Sequence, residues 1–294
     1  MQVSQFHKRT LDFTPVFSIL IPTWNNLPYL RNCVRSIEKN SHYKHQIIIH
    51  VNHGEDGTLE WIKQQGYDYT FADQNAGVCY AFNAASALAV SDLLVLSDDD
   101  MYYCPDWDKP LVDEVKQLNH IYFCINGTAI EPRESGNTCV IAPQNFGKTI
   151  EEFDEQALLK QYHTFAFKNW TGGNWYPMVL HRYVWQLIGG LSVEFSPGMG
   201  SDPDMMMKLW HAGVRYYKGI ESSRVYHFMS RSVSRVKKNN GRKQFLHKWN
   251  ISIGTLFKFY LKFGGDFKGP LNEPVMDGKL RMRLFKDKFK RSIS

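Results

Sequence analysis

The sequence offers no apolar stretch long enough to cross a bilayer. Its start, MQVSQFHKRTLDF, lacks the apolar core of a secretory signal, so it reads as a cytoplasmic, globular chain. Cysteine is scarce. Cys33, Cys79, Cys104, Cys124 and Cys139 make an odd number with no C-x-x-C pair, which argues against a disulfide framework or a zinc ribbon and fits a reducing compartment. The first apolar run enters Pro22-Thr23-Trp24-Asn25-Asn26 rather than a G-x-G-x-x-G, which disfavours a dinucleotide oxidoreductase. There is no G-x-x-x-x-G-K-[ST] for a P-loop and no G-x-S-x-G for a nucleophile elbow. Internal repeats and low-complexity linkers are absent too.

Basic charge is confined to one end. The last sixteen residues, KLRMRLFKDKFKRSIS, hold seven Lys or Arg against one Asp and so carry the whole formal net charge of +6. No basic face is left elsewhere for nucleic acid. The cations alternate with Leu280, Met282, Leu284, Phe285 and Phe289, which suits an amphipathic segment seeking an anionic membrane surface. A solvated basic tail is the other reading.

What is present is a chain of 294 residues, 43% hydrophobic and 14% aromatic, enough to bury an ordinary core as one large domain or two joined halves. In the first half, VFSILIPTW, HQIIIHVNHG, YTFAD and DLLVLSD read as strands, and LPYLRNCVRSIEKN, GTLEWIKQQG and GVCYAFNAASALAV as helices between them. That alternation predicts an α/β fold with a mainly parallel, wound sheet whose functional loops lie at the strand carboxyl ends. The second half is less regular. IYFCIN, VRYYKG and SRVYHF read as short strands, EEFDEQALLKQYHTF and SDPDMMMKLWHAG as helices, and RKQFLHKWNISIGTLFKFYLKFG as one long helix. A soft boundary falls near residues 115 to 120.

The run LLVLSDDDMYY ends a buried strand in three adjacent carboxylates, Asp98, Asp99 and Asp100. They repel one another unless a cation, backbone N–H groups or water answers the charge. A solvated acidic turn is one reading. A divalent cation held with a substrate diphosphate is the other, because Mg²⁺ and Mn²⁺ take oxygen ligands and share them with phosphates. Two further clusters favour a site. Asp202 and Asp204 open a helix after a Gly-rich loop, where one of them would suffice as a cap, and His227 ends a strand in VYHF.

Taken in order, FSILIPTWNN, VNHGEDGT, NAGVCYAFNAA, LVLSDDDM, WTGGNW and GSDPDMMMKLWHAGVRYY…VYH resemble the motifs of family 2 glycosyltransferases of the GT-A fold, over roughly residues 16 to 228. The resemblance implies a GT-A type mixed sheet, mostly parallel, flanked by helices and followed by a helical extension. It divides the chain into a nucleotide-sugar half (1–118), an acceptor half (119–230) and a basic C-terminal extension (231–294). It implies a nucleotide-sugar donor, a UDP-sugar first, a Mn²⁺ or Mg²⁺ cofactor, inversion at the anomeric carbon, and a glycan or glycolipid acceptor. Carried over, Pro22, Thr23 and Asn25 lie under the nucleotide, and Asn52 and Asp56 approach base and ribose. Asn75 and Gly77 shape the nucleotide wall. Asp98 and Asp100 match the Asp-x-Asp motif, with Asp100 a metal ligand, Asp98 a ligand or nearer the ribose, and Asp99 on the donor side. His227 completes the metal set. Gly172, Gly173 and Asn174 flank the transferred sugar between Trp170 and Trp175, which stack on sugar faces. Asp202 is the catalytic base, with Asp204 on the acceptor side or sharing that role.

Three positions depart from the family pattern. Asn52 replaces an Asp that often contacts uracil, Phe82 replaces an Arg, and Ser201 replaces the Glu that usually precedes the base. A binding protein without turnover on the same fold, and a nucleotidyltransferase, are the alternatives. The second lacks its expected Gly-rich basic loop.

Overall fold

Strands covered on both faces have no polar side, and the residues from Ser18 to Thr23 show this: all are buried except the partly buried Pro22. In the computed structural model, which describes residues 3–230 and 238–293, they belong to the middle of a mixed sheet. The strands are β1 (Gln5–His7), β2 (Ser18–Thr23), β3 (Gln46–Asn52), β4 (Asp68–Ala72), β5 (Leu93–Leu96), β6 (Met101–Tyr103), β7 (Phe123–Ile130), β8 (Met178–His181) and β9 (Tyr216–His227). The helices are α1 (Leu27–Asn40), α2 (Thr58–Gln65), α3 (Val78–Ser86), α4 (Lys109–Gln117), α5 (Glu155–Gln161), α6 (Arg182–Leu187), α7 (Ser201–His211), α8 (Gly241–Trp249), α9 (Ile253–Thr255, running into a π turn at Leu256–Tyr260) and α10 (Gly278–Ser292).

Among the described residues the sheet runs β1-β4-β3-β2-β5-β8-β7-β9-β6. β4, β3, β2 and β5 are mutually parallel. β8 lies antiparallel between β5 and β7, and β7 and β9 are parallel. The chain winds outward from β2 through β3 to β4, then returns to place β5 on the other side of β2. This makes a topological switch point at the carboxyl ends of β2 and β5, where open α/β sheets form a crevice. α1 closes one face over this region by burying Leu30, Cys33, Val34 and Ile37 at helical spacing.

The sheet is strongly curved, and chain length requires it. β5 and β6 are separated in sequence by residues 97–100 alone, yet β8, β7 and β9 lie between them in the sheet. Four strand spacings come to about 19 Å on a flat sheet. Five Cα steps reach at most about 18 Å fully extended. The β6 end therefore bends back toward β5. The bend is visible in the β7–β9 ladder, where two residues along β7, from Asn126 to Thr128, are matched by five along β9, from Gly219 to Arg224.

The two short strands expected from VRYYKG and SRVYHF are thus the arms of one strand folded at a bulge. Two other expectations are corrected. The long helix expected from residue 242 stops at Asn250, whose φ of 60° places it in the left-handed region, and Ser252 caps a new turn by accepting from the Thr255 N–H. The helix expected around residues 151–165 is confined to α5, opened by Asp154 accepting from the Ala157 N–H. β1 and β6 were not anticipated. Each has three residues, too few for an alternation to register. Of the basic extension, residues 231–237 and 294 lie outside the described residues.

Gly219, beside the bulge, has no room for a side chain, because an added Cβ would fall 1.8 Å from the Trp170 ring. Trp170 and Gly219 exchange backbone hydrogen bonds of 3.0 and 2.8 Å, so the ring cannot retreat without breaking them. Gly219→Ala should lower stability by roughly 2 kcal/mol or more. Chemical denaturation monitored by tryptophan fluorescence would show it, and an unchanged midpoint would mean the contact is not tight.

Candidate functional site

The switch point opens into a cleft of about 540 Å³. The carboxyl ends of β2, β3 and β5 supply Pro22, Thr23, Trp24, Asn52 and Asp98 to Asp100. The α3 entrance supplies Asn75 and Gly77. The lining is completed by Asn174, Trp175, Tyr176, the loop 197–199, Ser201, Asp202 and His227, with Arg133 and residues 229–230.

Each of the three aspartates has a different environment. Asp99 turns toward β2 and α1, where it accepts from Thr23 Oγ1 at 2.6 Å and Asn26 Nδ2 at 2.9 Å. Asp98 and Asp100 face His227. One ligand atom from each of these three side chains lies within 4.8 Å of the other two. Burial and the neighbouring Asp100 charge push the Asp98 carboxyl up to about 8. Burial would raise Asp100 as well, but the His227 ring and the Ser230 N–H, 2.6 Å from its Oδ2, hold it below the ordinary range. Burial opposes charging His227, yet Asp100 and Glu131 keep its pKa well above the usual value. Its Nδ1 is 3.0 Å from Glu131 Oε1 and its Nε2 3.5 Å from Asp100 Oδ1.

This donor set fits a divalent cation. Two carboxylates and an imidazole are ligands that Mn²⁺ and Mg²⁺ sites draw on. The carboxylate on the imidazole's far nitrogen is the arrangement that orients a metal-bound histidine. A cation here would also offset the burial and the Asp100 charge that raise the Asp98 carboxyl.

Asp202 also lines the cleft, in the first turn of α7. Tyr176 donates its hydroxyl hydrogen bond to Asp202 Oδ1 at 2.9 Å. Burial raises the carboxyl from 3.8 to about 6, with the Tyr176 bond pulling the other way. A carboxylate of that basicity is ionised at neutral pH and still accepts a proton well. The loop 197–199 is held over α3 by Gly77, where a Cβ would fall 2.8 Å from Pro197 Cα, and by a 3.0 Å bond from the Val78 N–H to the Pro197 carbonyl.

The cleft gathers twelve of the residues singled out from the sequence: Pro22, Thr23, Asn52, Asn75, Gly77, Asp98, Asp99, Asp100, Asn174, Trp175, Asp202 and His227. Six others lie outside its lining. Asn25 accepts from the Glu55 N–H, while Asp56 accepts from the Leu27 N–H and caps α2 through Thr58, so both brace loops behind the wall. Trp170 is buried against Gly219. Gly172 packs on Phe263 and Gly173 on Met206. Asp204 is fully buried and accepts from Ser192 Oγ at 2.6 Å and Trp249 Nε1 at 2.8 Å, with Lys248 Nζ 2.9 Å away. Residues two apart on a helix point to nearly opposite sides, so Asp202 and Asp204 cannot share one task.

Sequence reasoning missed Glu131, Arg133 and Trp24, and saw in Tyr176 only one more aromatic beside the Gly-rich loop that could stack on a sugar or pack. Glu131 did leave a signal, a lone acid after the apolar strand FCINGTAI, like the aspartates after β5. Tyr176 follows the Gly-rich loop directly.

Residues 18–172 match the model for glycosyl transferase family 2. The chain belongs to that family. A segment of 94 residues is 30% identical to the "Uncharacterized glycosyltransferase YfnE" of Bacillus subtilis (strain 168), covering 30% of this chain and 24% of that protein. Among solved structures, S. aureus TarS superposes with a TM-score of 0.57 at 11% identity, over 95% of this chain and 43% of TarS. GalNAc-T7, solved with UDP, GalNAc and Mn²⁺, gives 0.56 at 16% identity, over 79% of this chain and 47% of that one. The chain thus spans less than half the length of these relatives. The likeness to both structures establishes the GT-A fold for this family member.

The raised Asp202 pKa has a consequence for stability. Between about pH 4 and 6 the folded chain holds a proton that the unfolded chain has released, so this group's contribution falls as pH rises through that window and is level above it. Asp202→Asn removes the effect. Its thermal midpoint should equal or exceed that of the native chain at pH 7.5, and the gap should close on acidification. A variant less stable at every pH would contradict the buried-charge assignment.

Proposed function

We propose that the chain is an inverting, metal-dependent glycosyltransferase. It moves a sugar from a nucleotide-sugar donor, a UDP-sugar first, to a hydroxyl of a glycan or glycolipid acceptor, in surface polysaccharide synthesis at the cytoplasmic side of a membrane. The observation that carries this reading is that the Asp98, Asp100 and His227 cluster and the basic Asp202 carboxylate line one cleft. The presence of UDP, GalNAc and Mn²⁺ in the GalNAc-T7 structure supports the same classes of donor and cofactor.

In this reading Asp98, Asp100 and His227 hold the cation, with Glu131 fixing the imidazole. When bound, the cation supplies positive charge to the leaving diphosphate, which then needs no proton donor. Thr23, Asn52 and Asn75 receive the nucleotide beside Pro22 and Trp24. Asn52 Oδ1 already accepts from the Ala76 N–H at 2.9 Å, so its amide N–H₂ is what it offers the base. Asn174 and Trp175 border the sugar. Asp202 accepts the proton of the acceptor hydroxyl while Tyr176 fixes its carboxylate. The hydroxyl oxygen forms its bond to the anomeric carbon from the face opposite the diphosphate, whose bond to that carbon breaks, and the configuration inverts. We assign residues 1–118 to the donor side, 119–230 to the acceptor side and 231–294 to an extension, because residues from both of the first two segments line the cleft.

Calorimetric titration of UDP, GDP, dTDP and CMP, with Mn²⁺ and then with EDTA, tests the donor site. One nucleotide should bind with metal and fail without it, and Asp100→Ala should erase that difference. Glu131→Gln should weaken Mn²⁺ about 10- to 100-fold. Asp202→Asn should lower turnover by about 10²- to 10⁴-fold while leaving nucleotide affinity within a few-fold. Turnover surviving in that variant would remove Asp202 as base, and absence of nucleotide binding under either condition would favour a non-catalytic fold.

A further inference from the structure

Of the fourteen large hydrophobic side chains exposed among the described residues, six fall between Val275 and Ile293, which makes this segment the main apolar surface of the chain. α10 has two apolar faces. Leu280 is buried and Leu284 packs on the core. Asp287 anchors the same side by accepting from the Ser252 N–H at 2.9 Å and from the Thr255 hydroxyl. The opposite face carries Met282, Phe285, Phe289 and, at the C-cap, Ile293, exposed by 56, 72, 61 and 70%. Their spacing of three to four residues makes one stripe along the helix. At 100° per residue, Lys286 and Lys290 flank it on one side and Arg281 and Lys288 on the other.

The stripe borders a groove of about 780 Å³ formed by α8, α9 and α10. Arg242, Lys243, Arg283 and Lys290 line it together with Leu246 and Phe257. Arg283 is set in place by Thr255 Oγ1 at 3.0 Å and Ser252 Oγ at 3.1 Å. The stripe and the groove share Lys290 and Ile293, so they form one continuous face.

We propose that this face seats the enzyme on an anionic lipid surface, with the stripe entering the acyl boundary and the cations meeting lipid phosphates. Charge selects this occupant. α10 and its last turn hold seven basic residues, and their one acid, Asp287, is buried. Two copies paired through the stripe would bring like charges together, whereas an anionic bilayer supplies both the apolar phase and the counter-charge. The α8 side of the groove reaches the cleft. Asn239 exchanges hydrogen bonds of 3.0 and 3.1 Å with the Met199 backbone, and Gly241 sits against the Met199 carbonyl, while Arg242 and Lys243 line the groove. The docking does not rest on the donor-site reading. Its corollary, an acceptor presented at the lipid surface, does.

The test is cosedimentation of the full chain with vesicles of phosphatidylglycerol and phosphatidylcholine in equal parts, against vesicles of phosphatidylcholine alone. The chain should pellet with the first and not the second. Lys286→Gln and Lys290→Gln should each weaken binding about fivefold. Phe285→Ser with Phe289→Ser should abolish it. These side chains are exposed, so the thermal midpoint should not move, and that measurement reports the fold independently of any nucleotide result. Equal pelleting with both vesicle types, or unchanged binding in these variants, overturns the proposal. So does a dimer in sedimentation velocity that the phenylalanine pair dissolves, because the stripe would then face a second copy.

Discussion

Three adjacent carboxylates can be enclosed by a protein only if each finds an answer to its charge, and the architecture of the cleft follows from how this chain supplies three different ones. Asp99 is neutralised in effect by hydrogen bonds from β2 and the start of α1, which fixes the loop after β5 against the neighbouring strand. Asp100 is paired with His227 and the Ser230 N–H. Asp98 gets the weakest answer: the His227 ring offsets burial and the Asp100 charge only in part, and its pKa is pushed up to about 8. That asymmetry is one that a bound cation would relieve. The cluster lies at the switch point, where the parallel strands β2 and β5 end side by side and their loops diverge.

The curvature of the sheet matters as much as the acids. With only residues 97–100 between β5 and β6, the β6 edge has to return toward the middle of the sheet, and Met101 pairs with His227 at its end. The imidazole is thereby carried next to the carboxylates from more than a hundred residues away. The bulge in β9, the close contact of Gly219 with Trp170 and the packing of Gly172 on Phe263 all lie on the side of the sheet that bends. Trp170 and Gly172, expected beside the sugar, thus pack against Gly219 and Phe263. From the same loop Asn174, Trp175 and Tyr176 line the cleft.

Much of the first half of the chain was legible because it is local. Strands β2 to β5 and the helices between them show uninterrupted apolar runs or a 3.6-residue period, and the acids follow at strand ends where ligands bind in such folds. The second half was less so. Asp202 and Asp204 look equivalent as text, but the helix turns one toward the cleft and the other into the contact between α7 and α8, where Lys248 and Trp249 hold it. Asn250 interrupts an aromatic pattern that otherwise continues, since a residue able to adopt positive φ costs a helix little to end on. Glu131 could not be given a role from its neighbours in sequence, because its partner is His227.

By itself the sequence determined the class of fold, the family, the acidic cluster and the basic, amphipathic character of the tail, all of which are written in the order and periodicity of nearby residues. Only the tertiary structure decided which of those residues meet. It brought His227 and Glu131 to Asp100, set Asp202 against Tyr176, withdrew Asp204 and Trp170 from the cleft, and divided the tail into a buried face and an exposed one. The reason is physical: local pattern specifies which face of an element is apolar, but the pairing of distant polar groups depends on strand register, sheet curvature and helix phase, which exist only once the elements have packed.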